Sequence, residues 1–275
     1  VDDYFVRTDA ALGELARLAG PDTVVIAVSD HGSGPMPPVV FRPTVWLEQA
    51  GLLRRRPGAL ARPRALRLFG LALDEAKRRG LTGSLKAMLP PTWVDGARAI
   101  ARHDAFVDLT RTRAYPVDHF YPLAGFEVNL RGRQPAGIVA PQEYESIRDE
   151  VIQGLLGSVL PDGRPLCRRV CRREELFAGP RAEVLADVIA ELDLDVDARL
   201  GFAQGMFEPN AGHPGYPYRG YHRREGALAI RGPGIRPGRD LSGSELRDVV
   251  PTLLHLLDLP VPPDRRGTPF PVLEG

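Results

Sequence analysis

The opening segment of the chain combines two hydrophobic patterns. From Tyr4 to Leu18, apolar side chains recur at helical spacing among charged ones, and the pattern ends at Gly20 and Pro21, which predicts a helix over 4–18. Thr23 to Val28 then form a continuous apolar, β-branched run of strand length. Such a run is typical of a central strand that is covered on both faces. Polar and glycine residues follow from Ser29 to Pro35, at the end of the strand where open α/β sheets place their ligand sites.

Further along the chain the hydrophobic pattern changes twice. A helical pattern interrupted by Pro and Gly is followed by alternating, strand-like pieces, and the last part returns to the strand, turn and helix order of the opening segment. The predicted helices span residues 44–53, 65–79, 92–101, 141–156 and 244–257, and the predicted strands include 126–130 and 227–230.

These patterns predict an α/β fold made of two parts. Residues 1–40 and 204–275 would form a core with a central, largely parallel sheet, and residues 41–203 would form an α+β lobe inserted into that core. The polar residues at the end of the first core strand are therefore the first candidates for a functional site.

Composition and charge narrow the class of protein. The 275 residues are 43% hydrophobic and 26% charged, with a formal net charge of +1, which is the balance of a globular protein without a field that steers nucleic acid or anionic membranes. The arginine run Arg54 to Arg56 and the basic run Lys77 to Arg79 are interpreted as solvated helix ends, since no aromatic residues are interleaved with them to stack on bases. We therefore expect no nucleic acid as a partner.

The first residues of the chain and its two cysteines bear on the expected cellular compartment. No apolar stretch is long enough to span a bilayer, and because the chain begins at Val1 without Met, we expect further residues ahead of it. Cys167 and Cys171 have no second Cys or His pair nearby that would complete a zinc site, so they are interpreted as two reduced thiols. Reduced thiols fit a reducing compartment, and the expected location is cytoplasmic.

Three motifs carry the candidate chemistry. Asp30 and His31 follow the apolar strand directly, and an adjacent carboxylate and imidazole can reach one divalent ion while Gly32 relieves crowding of the backbone. His222 lies just before the strand 227–230, and an amphipathic helix follows from Asp248. An Asp-His pair alone is weak evidence, because it arises by chance and also serves in helix capping. The order and spacing of the three motifs are more specific.

Together these motifs resemble the alkaline phosphatase superfamily, in particular its type I phosphodiesterase/nucleotide pyrophosphatase relatives and the branch described as predicted phosphohydrolase or phosphomutase. The resemblance covers nearly the whole chain. It rests on residues 22–32, 220–226, 232–235 and 248–257, on the closing residues 260–262 with Gly267, and on the lobe segments 112–115, 128–133, 137–139 and 173–176. It implies a three-layer sandwich around a mostly parallel sheet, of which this chain would be the C-terminal portion.

The resemblance also implies a reaction and a set of roles. In such enzymes two divalent ions, usually zinc and sometimes manganese, hold a phosphoryl group while a Ser or Thr attacks it. Asp30 and His31 would ligate one ion and His222 the other. The family's nucleophile, a further aspartate and an Asp-x-x-x-His pair precede the Asp-His motif, and they are expected upstream of Val1. We therefore expect a metal-dependent hydrolase of small phosphorylated substrates that binds metal weakly and turns over little as this chain alone.

Several alternatives stay open at this level. His213 could contact substrate or belong to a plain loop, whereas His255 is interpreted as a packing histidine and Asp248 as a residue that caps or buttresses its helix. A phosphomutase or a sulfatase could use the same scaffold, and a non-catalytic binding protein could retain the metal half-site as a relic. No residue of this chain is assigned as the nucleophile.

Overall fold

The computed structural model describes residues 2–56, 106–118, 121–212 and 220–271. Within these residues the chain forms the following elements. The α-helices are α1 (Asp2–Ala19), α2 (Pro43–Gln49), α3 (Tyr144–Leu156), α4 (Arg173–Leu176) and α5 (Val249–Leu256). The strands are β1 (Val25–Val28), β2 (Gly32–Pro35), β3 (Val39–Phe41), β4 (Ala114–Val117), β5 (Leu123–Val128), β6 (Cys167–Arg172), β7 (Val188–Leu192), β8 (Val196–Ala198), β9 (Phe207–Pro209), β10 (Gly220–Arg223) and β11 (Leu228–Arg231).

Local sequence signals predicted four of the five described helices and three of the eleven described strands, β1, β5 and β11. The predicted helices over 4–18, 44–53, 141–156 and 244–257 correspond to α1, α2, α3 and α5, the last two each preceded by a short 3-10 turn. α2 begins at Pro43, whose fixed φ suits the first turn of a helix, where its missing N–H is not needed. The helices predicted over 65–79 and 92–101 lie outside the described residues.

The chain divides into two compact units. Unit 1 consists of Val1–Gly34 and Gly220–Gly275, and unit 2 consists of Pro35–Arg219. The predicted division placed these boundaries after residues 40 and 203. The structure places the first boundary after Gly34 and the second after Arg219, because β3 pairs with β8 and β9 inside unit 2.

Unit 2 has a core between a sheet and a helix. Its antiparallel sheet has the strand order β4-β5-β7-β6, with Pro116 on the edge strand β4, where a missing N–H costs no ladder bond. α3 buries Ile147, Val151 and Leu155 in the same hydrophobic cluster. The indole of Trp46 meets the ring of Phe126 edge-on, with centroids 5.8 Å apart. A second sheet, β8-β3-β9, extends this cluster through Phe41.

Unit 1 contains two small sheets, one of β1 with β11 and one of β2 with β10. β1 was predicted as a central strand of a parallel sheet, covered on both faces. Instead it pairs antiparallel with β11, from Val25 opposite Arg231 to Val28 opposite Leu228, and Val28 is exposed. Of the pairs β1–β11, β3–β8, β3–β9, β4–β5, β5–β7 and β6–β7, one is parallel, β3 with β8, and the other five are antiparallel. The chain thus mixes helices and strands as predicted, whereas a central parallel sheet is not present in the described part.

The C-terminal tail is tied to the start of α5. One carboxylate oxygen of Asp248 accepts a hydrogen bond from the backbone N–H of Thr268 at 2.9 Å, and the other accepts one from Glu245 at 2.8 Å. The hydroxyl of Thr252 accepts a hydrogen bond from the N–H of Phe270 at 2.9 Å. Asp248 therefore buttresses its helix, as the sequence suggested. None of the described helices is both long and apolar enough to cross a membrane.

The two cysteines lie on β6, and both are buried and free of disulfides. Burial raises the pKa of Cys167 to about 12 and also raises the pKa of Cys171, so neither side chain is a thiolate at neutral pH. We expect native protein to take up no iodoacetamide at pH 8 over minutes and denatured protein to take up two equivalents, as counted by mass spectrometry. Rapid alkylation of native protein would contradict the buried placement.

Candidate metal centre

Two of the predicted ligands meet at the sheet formed by β2 and β10. His31 immediately precedes β2, and His222 lies within β10. Their imidazole ring centroids are 4.2 Å apart, with the ring planes inclined at 65°. The predicted residues Asp30, His31 and His222 all belong to unit 1 and lie at one end of this two-stranded sheet.

Close backbone packing fixes the position of the Asp-His motif. A Cβ on Gly32 would lie 1.9 Å from the carbonyl oxygen of Glu225, so no larger residue fits there without movement of the backbone. Ser29 supplies a second attachment, because its N–H donates to the carbonyl of Ala227 at 2.9 Å and its hydroxyl accepts from the N–H of Ala227 at 2.6 Å. The segment that carries Asp30 and His31 is thereby joined to the segment that follows His222.

The imidazole of His31 is oriented by its neighbours. Its Nδ1 lies 2.9 Å from the carbonyl oxygen of Gly32, and a hydrogen bond there leaves the lone pair of a neutral ring on Nε2. That Nε2 atom lies 3.6 Å from Oδ1 of Asp30. Two ligands of a tetrahedral zinc ion at ordinary bond lengths are about 3.4 Å apart. Asp30 and His31 are thus spaced as a pair of ligands that share one ion.

Solvent reaches this pair of ligands. The side chain of Asp30 is 78% exposed and that of His31 is 45% exposed. The chemistry of a carboxylate with two imidazoles suits zinc or manganese. Within the described ranges, however, no group of three or more His, Cys, Asp or Glu side chains is arranged to hold a metal ion. The described residues therefore fit part of a coordination shell, with Asp30 and His31 as its best-formed portion.

The other predicted histidines have different outcomes. His213 lies outside the described residues. His255 was interpreted as a packing histidine, and this prediction was wrong, since the residue is exposed on α5. The reason is that α5 turns other positions inward: Pro251 and Thr252 are its buried residues.

From the sequence, Ser33 was assigned no role as a nucleophile, and the structure places it close to β10. A Cβ on Gly220 would lie 3.5 Å from the hydroxyl oxygen of Ser33, which places Ser33 beside the same strand that carries His222. Ser33 lies two residues after His31, and its closeness to β10 depends on the pairing of β2 with β10.

Within the described part of unit 2, a cluster of charged and polar groups surrounds Asp187. The carboxylate of this fully buried residue accepts hydrogen bonds from Arg133 at 2.7 Å, Arg173 at 2.8 Å, the hydroxyl of Tyr144 at 2.6 Å and the N–H of Val128 at 2.8 Å. Burial alone would raise the pKa of Asp187, but these hydrogen bonds outweigh it and hold the pKa below its usual value. A carboxylate that is buried and this fully bonded stabilises the fold and is a poor general base.

Comparison of the chain with protein-family models, with curated proteins and with solved structures finds no match. Any function must therefore be argued from the residues and their geometry.

Proposed function

We propose that this chain carries part of the centre of a metal-dependent phosphoric ester hydrolase of the alkaline phosphatase type. The observation that supports it best is the meeting of His31 and His222, 4.2 Å apart between ring centroids, beside an Asp30 carboxylate spaced for a shared ion. Two segments that the family resemblance selected from distant parts of the chain, one with Asp30 and His31 and one with His222, thus lie close together. A chance set of motifs would not be expected to converge at one end of one small sheet.

In this proposal the side chains divide the work between two divalent ions, zinc or manganese. Asp30 supplies negative charge and His31 a neutral nitrogen to one ion, while His222 supplies a nitrogen to the other. The hydrogen bond from Nδ1 of His31 to the carbonyl of Gly32 keeps Nε2 available as the ligand atom. When bound, the ions would polarise the phosphoryl oxygens and lower the pKa of an attacking group.

The proposal extends to the architecture of the site. The segments of unit 1 would belong to an alkaline phosphatase-like sandwich with a mostly parallel sheet, and unit 2 would be the inserted lobe that selects a small phosphorylated substrate. The nucleophile and the remaining ligands are proposed to come from residues upstream of Val1.

Metal binding tests the proposal directly. We expect zinc to bind the purified chain, and His222→Ala or Asp30→Asn to weaken its affinity about tenfold, which corresponds to about 1.4 kcal/mol. The measurement is calorimetric titration with zinc and, separately, with manganese. His255→Ala is the matched control, because it removes an exposed histidine of the same unit and should leave the affinity unchanged. Equal losses in all three variants would refute a specific site.

Activity is the second test. The chain extended upstream should hydrolyse aryl phosphate mono- or diesters with zinc or manganese, and His222→Ala should abolish that turnover. An upstream Ser or Thr would favour phosphoester chemistry, whereas a Cys that can be converted to formylglycine would favour a sulfatase. If zinc binds but no extended form turns over any ester, the half-site belongs to a binding protein.

A further inference from the structure

Unit 1 exposes an apolar stripe along the whole of α1. Successive residues of a helix are rotated by about 100°, which puts Tyr4, Phe5, Leu12, Leu15 and Leu18 on one side of it. All five are between 46% and 71% exposed. An amphipathic helix of 18 residues gains most of its stability from packing of its apolar face, and here that face meets solvent.

We propose that the apolar stripe of α1 packs against α1 of a second copy of this chain, with the two helices antiparallel. The first argument is size complementarity. Tyr4 and Phe5 lie near one end of the stripe, and Leu15 and Leu18 lie near the other. An antiparallel pair places the aromatic side chains of one copy against the leucines of the other, with Ala11 at the crossing point. A parallel pair would instead crowd the aromatic side chains together at one end.

Charge complementarity is the second argument. Viewed down the helix axis, Arg7 and Glu14 lie about 20° and 40° from Leu18, on the same edge of the stripe. In an antiparallel pair centred between Ala10 and Ala11, each Arg7 faces Glu14 of the other copy, so two equivalent ion pairs form. In a parallel pair, Arg7 of one copy and Glu14 of the other would lie about 10 Å apart along the helix axis and could not meet. Within one chain, Arg7 contacts Asp3 at 3.1 Å and Glu14 contacts Arg17 at 2.6 Å, so the side chains already lie extended along the helix surface.

The size of the surface sets the expected strength. α1 is about 27 Å long, so a single helix pair buries less than the roughly 800 Å² per partner of a standard interface. We therefore expect a reversible dimer with a dissociation constant of about 1–100 µM. Its formation does not depend on the metal centre, and a chelator should not change it.

Sedimentation velocity of the full chain across this concentration range, with EDTA present, tests the proposal. Leu15→Ala keeps a good helix former and should weaken the dimer at least about 30-fold. Arg7→Glu and Glu14→Arg should each weaken it, and the double variant R7E/E14R should restore it, because the reversed charges again meet their opposites. Far-UV circular dichroism checks that α1 remains helical in every variant.

A matched control distinguishes α1 from the other exposed stripe of the same unit. Leu246, Val250, Leu253 and Leu257 are also exposed at helical spacing, in α5 and the turn before it. Leu253→Ala should leave the dimer intact. The proposal is wrong if the chain is a monomer at every concentration or if the dimer survives Leu15→Ala. It is also wrong if the dimer is lost only in Leu253→Ala, or if R7E/E14R fails to restore it while the helix stays intact.

Discussion

Replacing Asp187 by Ala should lower the free energy of unfolding of unit 2 by about 3–5 kcal/mol. The variant removes a buried carboxylate that binds two guanidinium groups, a phenol and a backbone N–H, and these donors cannot all find water in its place. Urea denaturation followed by tryptophan fluorescence measures the change, because Trp46 is a core residue of the same unit.

Asp162→Ala is the control for this loss. Asp162 also binds an arginine, Arg164, at 2.9 Å, but it does so on an exposed turn, where an ion pair contributes about 0–1 kcal/mol. If both variants lower the free energy of unfolding by the same small amount, the cluster around Asp187 contributes little to the stability of unit 2 and the prediction is wrong.

The same carboxylate should make unit 2 sensitive to acid. Because the pKa of Asp187 is lowered by folding, its stabilising contribution is complete above the ordinary value of 3.8 and is lost as the pH falls through the lower folded-state value. Asp187→Ala should therefore show a flatter dependence of stability on pH below about 4 than the parent chain. Parallel curves for the two proteins would contradict this assignment.

Gly32→Ala should move the ring of His31 away from the ring of His222. A methyl group 1.9 Å from the carbonyl oxygen of Glu225 must push the backbone apart, at a cost of about 3 kcal/mol, the upper end for overpacking. We expect faster hydrogen exchange of the amide of Ser29, which donates to Ala227, and loss of the nuclear Overhauser effect between the rings of His31 and His222. Zinc affinity should fall to that of His222→Ala.

Gly13→Ala provides the matched control for Gly32→Ala. Gly13 lies in α1 of the same unit, and a Cβ there would meet no atom within 4 Å. Because alanine favours the helix more than glycine does, this variant should be neutral or slightly stabilising. An equally strong effect at both glycines would show that unit 1 tolerates no substitution and would remove the special role of Gly32.

Most of the described helices, but only three of the eleven described strands, could be predicted from the sequence. The spacing of leucines before Gly20 identified α1, and the apolar run of 23–28 identified β1, because both depend on neighbours within a few residues. The same run could not show which strand lies beside it. A continuous apolar run suits several pairings, and the antiparallel partnership with β11 depends on contacts between distant parts of the chain.

The candidate site could be predicted only in part, because contacts between distant parts of the chain do not follow from local patterns. Asp30, His31 and His222 were selected as residue types at characteristic positions, but only packing could bring the two imidazoles into contact. Ser33 was given no role from the sequence, and its position beside Gly220 depends on the facing strand. His255 was assigned to the core because its helix is apolar, although burial depends on which side of the helix meets the rest of the unit.

By itself, the sequence determined where most of the described helices form, where the metal-type ligands lie along the chain, and that the cysteines stand apart from any zinc motif. These properties follow from short-range periodicity and from side-chain chemistry. The tertiary structure decided the pairing of β1 with β11, the meeting of His31 with His222, and the burial of Asp187 among arginines from separate segments. Such features depend on contacts between residues far apart in the chain, and those contacts exist only once the chain has folded.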